Sequence, residues 1–416
     1  MSWSAPVGWH HSGVPTTTPI PSARTGASLW SAFVPLLPLM LAVFVGFFPM
    51  GMAFPVLPRH VYDVLGLGTF FVGVVMGAQY VASILVGRKW AGEVSDGRGP
   101  KVAVPLGLAG VCGVGAMYFI ALAFTDQPTI SYLLLVAARL LTGIAEPFII
   151  TAALSWGIAR LGPQHSGKVI GWIGMALFGA YAAGAPAGGW VFARWGYAGI
   201  AWATVLVPLL TLAIVSGIHG ERPARVERPA FYKVVGLVKL PGLALTLSSF
   251  AYAAINAFVA LLWVERGWGS AALAFTSLGA GFILARLLVG HLPDQLGGAR
   301  VAAVCVAVEA LGQLLIWWAP SEPLAWAGAA LTGGGYALAF QGFGVEAVRR
   351  APPESRGAAM GGYVAFQDLS MGLAGPLGGL LALQAGLSSV YLAGAIGALG
   401  SLVLALAMQR SDAGRA

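Results

Sequence analysis

Twelve long apolar stretches restrict what this chain can fold into. Each is long enough to cross the hydrocarbon core of a bilayer, which takes about 20 helical residues. Backbone groups in lipid must be hydrogen-bonded within their own segment, so these stretches form helices. The sequence therefore predicts an all-α membrane protein with twelve transmembrane helices. The stretches cover 31–58, 69–90, 101–123, 130–156, 168–192, 199–219, 241–264, 271–292, 300–319, 323–345, 357–384 and 388–409.

The composition leaves little room for a soluble part. Of 416 residues, 58% are hydrophobic and only 9% are charged, whereas soluble chains carry about 25% charged residues. A large soluble catalytic domain is therefore excluded. Cys112 and Cys305 both lie inside apolar stretches and are interpreted as small core residues, because their spacing fits neither a disulfide framework nor a metal site.

A charged segment divides the twelve stretches into two sets of six. It contains Arg222, Arg225 and Arg228. We therefore predict a disordered cytoplasmic tail at 1–30, an N-terminal six-helix bundle at 31–220, a cytoplasmic linker at 221–240, a C-terminal six-helix bundle at 241–410 and a cytoplasmic tail at 411–416. The first segment is rich in Ser, Thr, Pro and Gly and is not interpreted as a signal peptide.

The distribution of cations predicts the orientation in the membrane. Most of the 23 Lys and Arg residues fall on one side, which is the cytoplasmic side because cytoplasmic loops carry the excess. Only Arg59, Arg194 and Arg266 fall on the other side, and Arg139 lies within a helix. Both termini are therefore expected in the cytoplasm. The basic residues lie near anionic headgroups and do not imply a nucleic-acid partner.

Landmarks recur in the same order in the two halves, so the halves are predicted to be pseudo-symmetric. Helices 2 and 8 are each followed by a glycine-rich acidic turn with a cation, and helices 5 and 11 each carry a glycine-proline segment. Duplicated halves are typical of transporters. The turns contain Gly92, Asp96, Gly99 and Lys101, and Gly290, Asp294, Gly297 and Arg300; the segments contain Gly184, Pro186, Gly188 and Gly189, and Gly375, Pro376, Gly378 and Gly379.

Both repeated motifs have a functional and a structural interpretation. A carboxylate such as Asp96 at a helix end can pair with a cation or with a helix N-terminus, and such a bond can act as a gate between two states; the alternative is a satisfied turn. Small residues let helices approach closely and prolines bend them. The segments are therefore interpreted as hinges, or as packing surfaces without motion.

Four ionisable side chains fall in the middle parts of apolar stretches, away from the helix ends, where they are costly and hence functional candidates: Arg139, Glu146, Glu309 and Asp368. Arg139 and Glu146 are seven residues apart, which places them on one helix face about 10 Å apart. Burial raises the pKa of a carboxyl group and a nearby cation lowers it, so such a group can take up and release a proton near neutral pH. Arg139, Glu146 and Asp368 are therefore the proton-coupling candidates; the alternative for Glu146 is a static polar pair or a residue in a water-filled cavity. Asp368 is interpreted either as lining a cavity or as joining helices of the C-terminal half.

Other polar residues within the helices are candidates for lining a substrate cavity, although each could instead bond a neighbouring helix. They are Gln79, Tyr80, Asn256, Tyr336 and Gln341.

These motifs resemble those of the major facilitator superfamily over nearly the whole chain. The turn after helix 2 is similar to motif A, Arg139 with Gly143 to motif B, and the Pro186 segment to motif C. The segments 54–58, 309–313 and 366–369 resemble the bacterial arabinose-efflux-like branch that includes YhhS and YfcJ. The resemblance implies a monomeric carrier of the bacterial inner membrane and a proton-coupling role for Arg139. It also places helix 9 on the outside of its bundle, away from substrate, so a structural role is favoured for Glu309 over a functional one.

The expected function is secondary active transport, with proton-coupled efflux of small sugar-like or drug-like molecules by alternating access. Uptake by a symporter or uniporter, a non-transporting receptor and an intramembrane enzyme are the alternatives. Zinc-protease, nucleotide-loop and serine-hydrolase motifs are not apparent in the sequence. No enzyme activity, cofactor or metal is therefore expected, and the expected partners are a small-molecule substrate, protons and lipid.

Overall fold

The computed structural model describes Met1 and residues 29–162, 165–216, 231–352 and 355–413, and the secondary structure of these residues is helical. Leu29–Ala53 forms α1, and two short turns, Leu57–Arg59 and His60–Val64, connect it to α2. The helix Ser166–Ser216 has non-helical geometry at Gly196, so α5 precedes Gly196 and α6 follows it. The other helices are α2 (Thr69–Arg98), α3 (Pro100–Ala123), α4 (Pro128–Leu161), α7 (Phe231–Glu265), α8 (Ala272–Val289), α9 (Gly298–Trp318), α10 (Glu322–Arg349), α11 (Arg356–Ala385) and α12 (Leu387–Ala413).

The twelve predicted apolar stretches correspond to α1–α12. Within the described residues, nine helical segments are long and apolar enough to cross a membrane, one of them being the continuous α5–α6 segment. The glycine-rich helices α10 and α11 have 28 and 30 residues, which is also sufficient to span a bilayer. The chain is thus an all-α, multi-pass membrane protein.

Local sequence explains where several helices begin and end. Pro100 and Pro128 lie in the first turns of α3 and α4, where the missing amide hydrogen leaves no helical bond unmade. Gly162 follows α4 and Gly386 follows α11, both at positive φ, which glycine adopts without the strain of a Cβ atom. The predicted tail 1–30 and linker 221–240 lie largely outside the described residues; α7 begins at Phe231, inside the predicted linker.

The helices of the second half repeat the packing of the first. Helix α1 packs on α5, α2 on α4, and α3 on α4 and on the α5–α6 segment; correspondingly, α7 packs on α11, α8 on α10, and α9 on α10 and α12. Gly99 and Gly297 have φ values of 92° and 93°, and Gly196 and Gly386 values of 60° and 82°. The backbone therefore repeats at equivalent turns, as the pseudo-symmetric sequence predicts.

The two halves meet along α2 with α11 and α5 with α8. Thr69 Oγ1 donates a hydrogen bond to Gly379 O at 2.7 Å, and a Cβ atom on Gly77 would lie 2.6 Å from Gly372 O. Phe54, in the turn that follows α1, stacks on Phe275 of α8 with ring centroids 5.9 Å apart. These contacts close the end of the molecule at which α1 ends and α2 begins, which we call the closed end.

The cleft between the halves is open toward the other end, where α2 is followed by α3 and α8 by α9; we call this the motif end. A Cβ atom on Gly171 or Gly174 of α5, or on Gly361 of α11, would have no described atom within 4 Å. Gly171 and Gly361 occupy equivalent positions of the two halves, 190 residues apart. The described conformation thus has a central cleft that is accessible from the motif end.

Candidate functional site

An ion pair joins the two halves between α2 and α11. Arg88 Nε of α2 donates to Asp368 Oδ2 of α11 at 2.5 Å, and Ser83 Oγ donates to the same oxygen at 3.1 Å. The Asp368 side chain is 6% exposed and that of Arg88 is 33% exposed. Through these two bonds Asp368 joins the N-terminal half to the C-terminal half, rather than joining helices within the C-terminal half as one of its two sequence interpretations proposed.

A one-residue irregularity in α2 positions Arg88. Ser83–Gly87 is a π-helical turn, which inserts one extra residue and rotates the helix beyond it. The repeat shows the same insertion. Gly143 packs on Gln79 as Gly333 packs on Leu278, so Gln79 of α2 and Leu278 of α8 are equivalent, and they are 199 residues apart. After the turn, the equivalent residues Gly92 and Gly290 are 198 residues apart.

The sequence interpretation missed Arg88, because it counted this cation among those at the cytoplasmic ends of helices. The apolar stretch ends near residue 90, but α2 continues to Arg98. A signal that could have revealed Arg88 is the repeat itself, since an arginine, Arg286, occupies the equivalent position of α8, 198 residues away.

Glu146 of α4 lies beside this ion pair. Its Oε1 atom is buried and has no hydrogen-bond partner in the described part of the chain, while Arg139, Asp368 and Arg88 are within electrostatic range. Arg139 is 1% exposed, and its Nε and Nη2 atoms likewise have no hydrogen-bond partner among the described residues. The structure thus brings Arg139, Glu146 and Asp368 into one charge cluster, but Arg139 and Glu146 form no direct ion pair within the described chain.

Three tyrosines in the neighbourhood of Glu146 come one from each of α2, α5 and α7. Tyr80, Tyr181 and Tyr252 are each within electrostatic range of the Glu146 carboxyl group. Tyr252 also stacks on Tyr336 of α10 with ring centroids 4.7 Å apart. Phenol groups from both halves therefore lie in the neighbourhood of the Glu146 carboxyl group, and such groups can donate or accept hydrogen bonds.

Tyr336 connects three helices of the C-terminal half. Its hydroxyl accepts a hydrogen bond from Gln367 Nε2 at 2.6 Å and shares one with Ser249 Oγ at 3.3 Å. Tyr336 and Glu146 are 190 residues apart and so occupy equivalent positions in α10 and α4. One half therefore presents a carboxyl group where the other presents a phenol.

Tyr80 and Asn256, two of the predicted cavity residues, line the same small cavity between α2, α7 and α11. Its volume of about 10 Å³ is enough for about one water molecule. The lining residues are Met76, Gly77, Tyr80, Ala253, Asn256, Ala257, Met371 and Gly375.

Gln79 and Gln341 make other contacts than those expected of cavity residues. Gln79 is 1% exposed, and its backbone packs against Gly143 of α4. Gln341 Nε2 donates to Gly290 O at 2.8 Å and so joins α10 to the end of α8.

The two acidic turns lie at the motif end, at the mouth of the cleft. Asp96 is partly buried in the last turn of α2, while Asp294 is exposed in the short helix Leu292–Leu296 after α8. Asp294 is within electrostatic range of Arg286. Lys101 and Arg300 are exposed near the starts of α3 and α9. The turns are therefore equivalent in backbone but differ in the burial of their carboxylates.

The glycine-proline segments are helix contacts near the closed end. In α5, a Cβ atom on Gly184 would lie 2.6 Å from Phe48 O of α1, and Gly188 packs on Met52. In α11, Gly375 packs on Gly73 and Gly379 on Thr69, both in α2. The helices remain continuous through Pro186 and Pro376, so the observed bend of the α5–α6 segment lies at Gly196 rather than at the proline.

The remaining members of these segments also make close contacts. Gly189 of α5 approaches Ser270 and Ala272 of the other half, and Gly378 of α11 approaches Phe258 of α7. The segments therefore pack helices within each half and also across the boundary between the halves.

Glu309 points into the C-terminal bundle. Its side chain is 0% exposed; Oε2 accepts a hydrogen bond from Ser248 Oγ of α7 at 2.5 Å, and Oε1 has no partner within the described residues. The sequence resemblance implied that helix 9 lies on the outside of its bundle, away from substrate, which favoured a structural role for Glu309; the carboxyl group lies between α7, α9 and α10. Among the described residues, no group of three or more His, Cys, Asp or Glu side chains could hold a metal ion.

Comparison with known families and proteins agrees with this architecture. The family model described as Major Facilitator Superfamily matches residues 39–241 and 241–415. An uncharacterized MFS-type transporter of Pseudomonas aeruginosa (strain LESB58) is 39% identical over 411 residues, which cover 95% of this chain and 97% of that protein. One of Salmonella typhimurium (strain LT2) is 38% identical over 381 residues, covering 91% and 98%.

Solved structures show the same fold. The crystal structure of a D-xylose–proton symporter superimposes with a TM-score of 0.69 at 16% identity, covering 89% of this chain and 97% of that one.

Proposed function

The chain belongs to the major facilitator superfamily of transporters, and from this premise we propose that it exports small organic molecules in exchange for protons. It is a secondary transporter and not an enzyme by family. Sugar-like and drug-like solutes are the substrate classes that we infer, in keeping with its resemblance to the arabinose-efflux-like YhhS/YfcJ branch. The inferred setting is the bacterial inner membrane, with both termini in the cytoplasm and a monomer as the working unit.

The observation that carries this proposal is the unpartnered, buried carboxyl oxygen of Glu146. It lies in the cleft beside an ion pair that joins the two halves. A carboxyl group in this position can bind a proton in one conformation and release it in the other, because its surroundings change when the halves separate. Asp368 and Arg139 tune this equilibrium through their charges.

Alternating access follows from the two ends of the cleft. With the motif end in the cytoplasm, the described conformation receives the solute from the cytoplasm. Binding shifts the population toward the conformation in which the closed end opens. The turns at Asp96 and Asp294 would then latch the motif end, and the glycine-lined contacts of α2 with α11 would separate.

The proposal can be tested with purified protein in proteoliposomes and two probes, radiolabelled arabinose and ethidium. A pH dye reports proton movement when either solute is transported. Glu146→Gln keeps the size of the side chain but removes its titration, so we expect proton-driven accumulation to fail while counterflow without a pH gradient continues.

Lys89→Gln is a matched control, because Lys89 is an exposed cation of the same helix with a side chain 73% exposed; it should leave both assays unchanged. Normal proton-driven accumulation by Glu146→Gln would contradict the proton-carrier role. Loss of counterflow as well would point to substrate binding at Glu146. Proton movement in the same direction as the solute would replace efflux by symport, and the absence of any gradient-dependent transport would favour a receptor.

A further inference from the structure

The two walls of the cleft are related by the internal repeat. Where Gly77 of α2 approaches Gly372 O of α11, Thr276 Oγ1 of α8 donates to Ala182 O of α5 at 3.0 Å. Ala182 and Gly372 are 190 residues apart, and Gly77 and Thr276 are 199 apart. The α2–α11 wall and the α5–α8 wall are therefore built from equivalent contacts, and their residues can be compared one by one.

This comparison reveals a cation without a partner. Arg286 of α8 is the equivalent of Arg88, but the equivalent of Asp368 in α5 is Phe178. Arg88 forms an ion pair with Asp368, whereas Arg286 forms no side-chain hydrogen bond or ion pair within the described chain and has only Asp294 as a favourable charge in its vicinity. The α2–α11 wall thus holds a paired arginine, and the α5–α8 wall holds an arginine without an ion-pair partner among the described residues.

The Arg286 side chain lies on the cleft face of α8. Phe282 is one helical turn earlier on the same face and stacks on Phe178 of the other half with ring centroids 3.5 Å apart. One turn from Phe178 toward the motif end, α5 has Gly174, where a Cβ atom would have no described atom within 4 Å. The space opposite Arg286 is therefore open, and glycine rather than a large side chain borders it.

Aromatic rings continue from Arg286 into the cleft. The ring of Phe178 makes edge contacts with Tyr181 at 6.1 Å and with Tyr252 at 5.9 Å. A planar or apolar solute placed on these rings would gain stacking and burial of its own surface. Its anionic group would reach Arg286, whose planar guanidinium suits carboxylate, sulfonate and phosphate oxygens.

We propose that the transported solutes include amphipathic organic anions, whose charged group binds Arg286 and whose apolar body lies on Phe178, Tyr181 and Phe282. This inference rests on the proposed transport function, because it names the substrate class of that cleft. It differs from a role in proton coupling, since an arginine remains charged throughout and contributes only binding.

Three naphthalene probes that differ in charge test the proposal: 2-naphthalenesulfonate, the neutral 2-naphthalenesulfonamide and (2-naphthylmethyl)trimethylammonium. Binding to the full chain in detergent is measured from the rise in unfolding temperature with probe concentration. We expect the sulfonate to bind most tightly. Arg286→Gln should weaken sulfonate binding about tenfold or more, the range expected for a hydrogen bond to a charged group, and leave sulfonamide binding unchanged.

Arg286→Lys keeps the charge and should retain part of the sulfonate affinity, while Lys89→Gln should have no effect. Phe178→Ala should weaken all three probes, because they share the ring system. Equal affinities for the three probes, no binding of any of them, or unchanged sulfonate binding by a folded Arg286→Gln variant would overturn the inference. Because the assay does not require transport, Arg286-dependent sulfonate binding without proton-coupled flux would instead refute the proposed function alone.

Discussion

Removing the charge of Asp368 should change the balance between the two conformations of the transporter. Asp368→Asn keeps the shape of the side chain and an acceptor oxygen for Ser83 and Arg88, but replaces a charge-assisted bond across the two halves by a neutral one. Because this bond joins the two halves in the described conformation, its loss weakens the interface of that conformation.

The expected size follows from the burial of the two partners. Hydrogen bonds to charged groups contribute about 1.5–3 kcal/mol. The Arg88 side chain is 33% exposed, so water compensates part of the loss and the lower end of that range applies. Since about 1.4 kcal/mol corresponds to a tenfold change in an equilibrium, we expect a shift of roughly tenfold away from the conformation that is open at the motif end.

Distance measurements between two spin labels report this equilibrium. Arg98 and Gln295 are exposed at the motif end of the two halves, and labels at these positions should give a longer distance when the cleft is open. Cys112 and Cys305 are first replaced by alanine. Asp368→Asn should increase the share of the short distance about tenfold relative to the long one.

The exposed pair Lys89–Glu93, with atoms 4.0 Å apart, supplies the control. Surface pairs contribute at most about 1 kcal/mol, and this pair lies within one helix, so Lys89→Gln should leave the distribution unchanged. An unchanged distribution in a folded Asp368→Asn variant would refute the reasoning, because it would mean that the bond contributes equally to both conformations.

Two further substitutions test the backbone contacts. Gly77→Ala places a Cβ atom 2.6 Å from Gly372 O and should also shift the spin-label distances toward the short population. Gly361→Ala, where the Cβ atom has no described atom within 4 Å, should leave them unchanged. Equal effects of the two substitutions would contradict the close approach at the closed end. Gly99→Ala places a side chain at φ 92° and ψ 156°, a region essentially restricted to glycine, and should lower stability by about 1–3 kcal/mol, measured by thermal unfolding. Gly97→Ala in the preceding helix turn should change little, and equal unfolding temperatures for the two variants would argue against a strained turn.

The sequence by itself determined the number of helices, the helical class and the equivalence of the halves. Apolar stretches of about 20 residues leave the backbone no alternative to helix in lipid, and Gly99 and Gly297 show the repeated turn that their spacing predicted. The family was also accessible from its motifs, because the residue types and spacings of the acidic turn, the Arg139 segment and the Pro186 segment resemble those of the family.

Only the tertiary structure decided which polar side chains meet. Asp368 and Arg88 are 280 residues apart, and no local pattern specifies that a bond will cross the boundary between the halves. The π-helical turn at Ser83–Gly87 inserts one residue and so rotates the part of α2 that carries Arg88. A sequence periodicity of 3.6 residues per turn does not reveal this rotation. The open space opposite Arg286 depends on how two distant helices diverge. Partners in a membrane bundle are set by helix packing, and packing is a property of the whole chain.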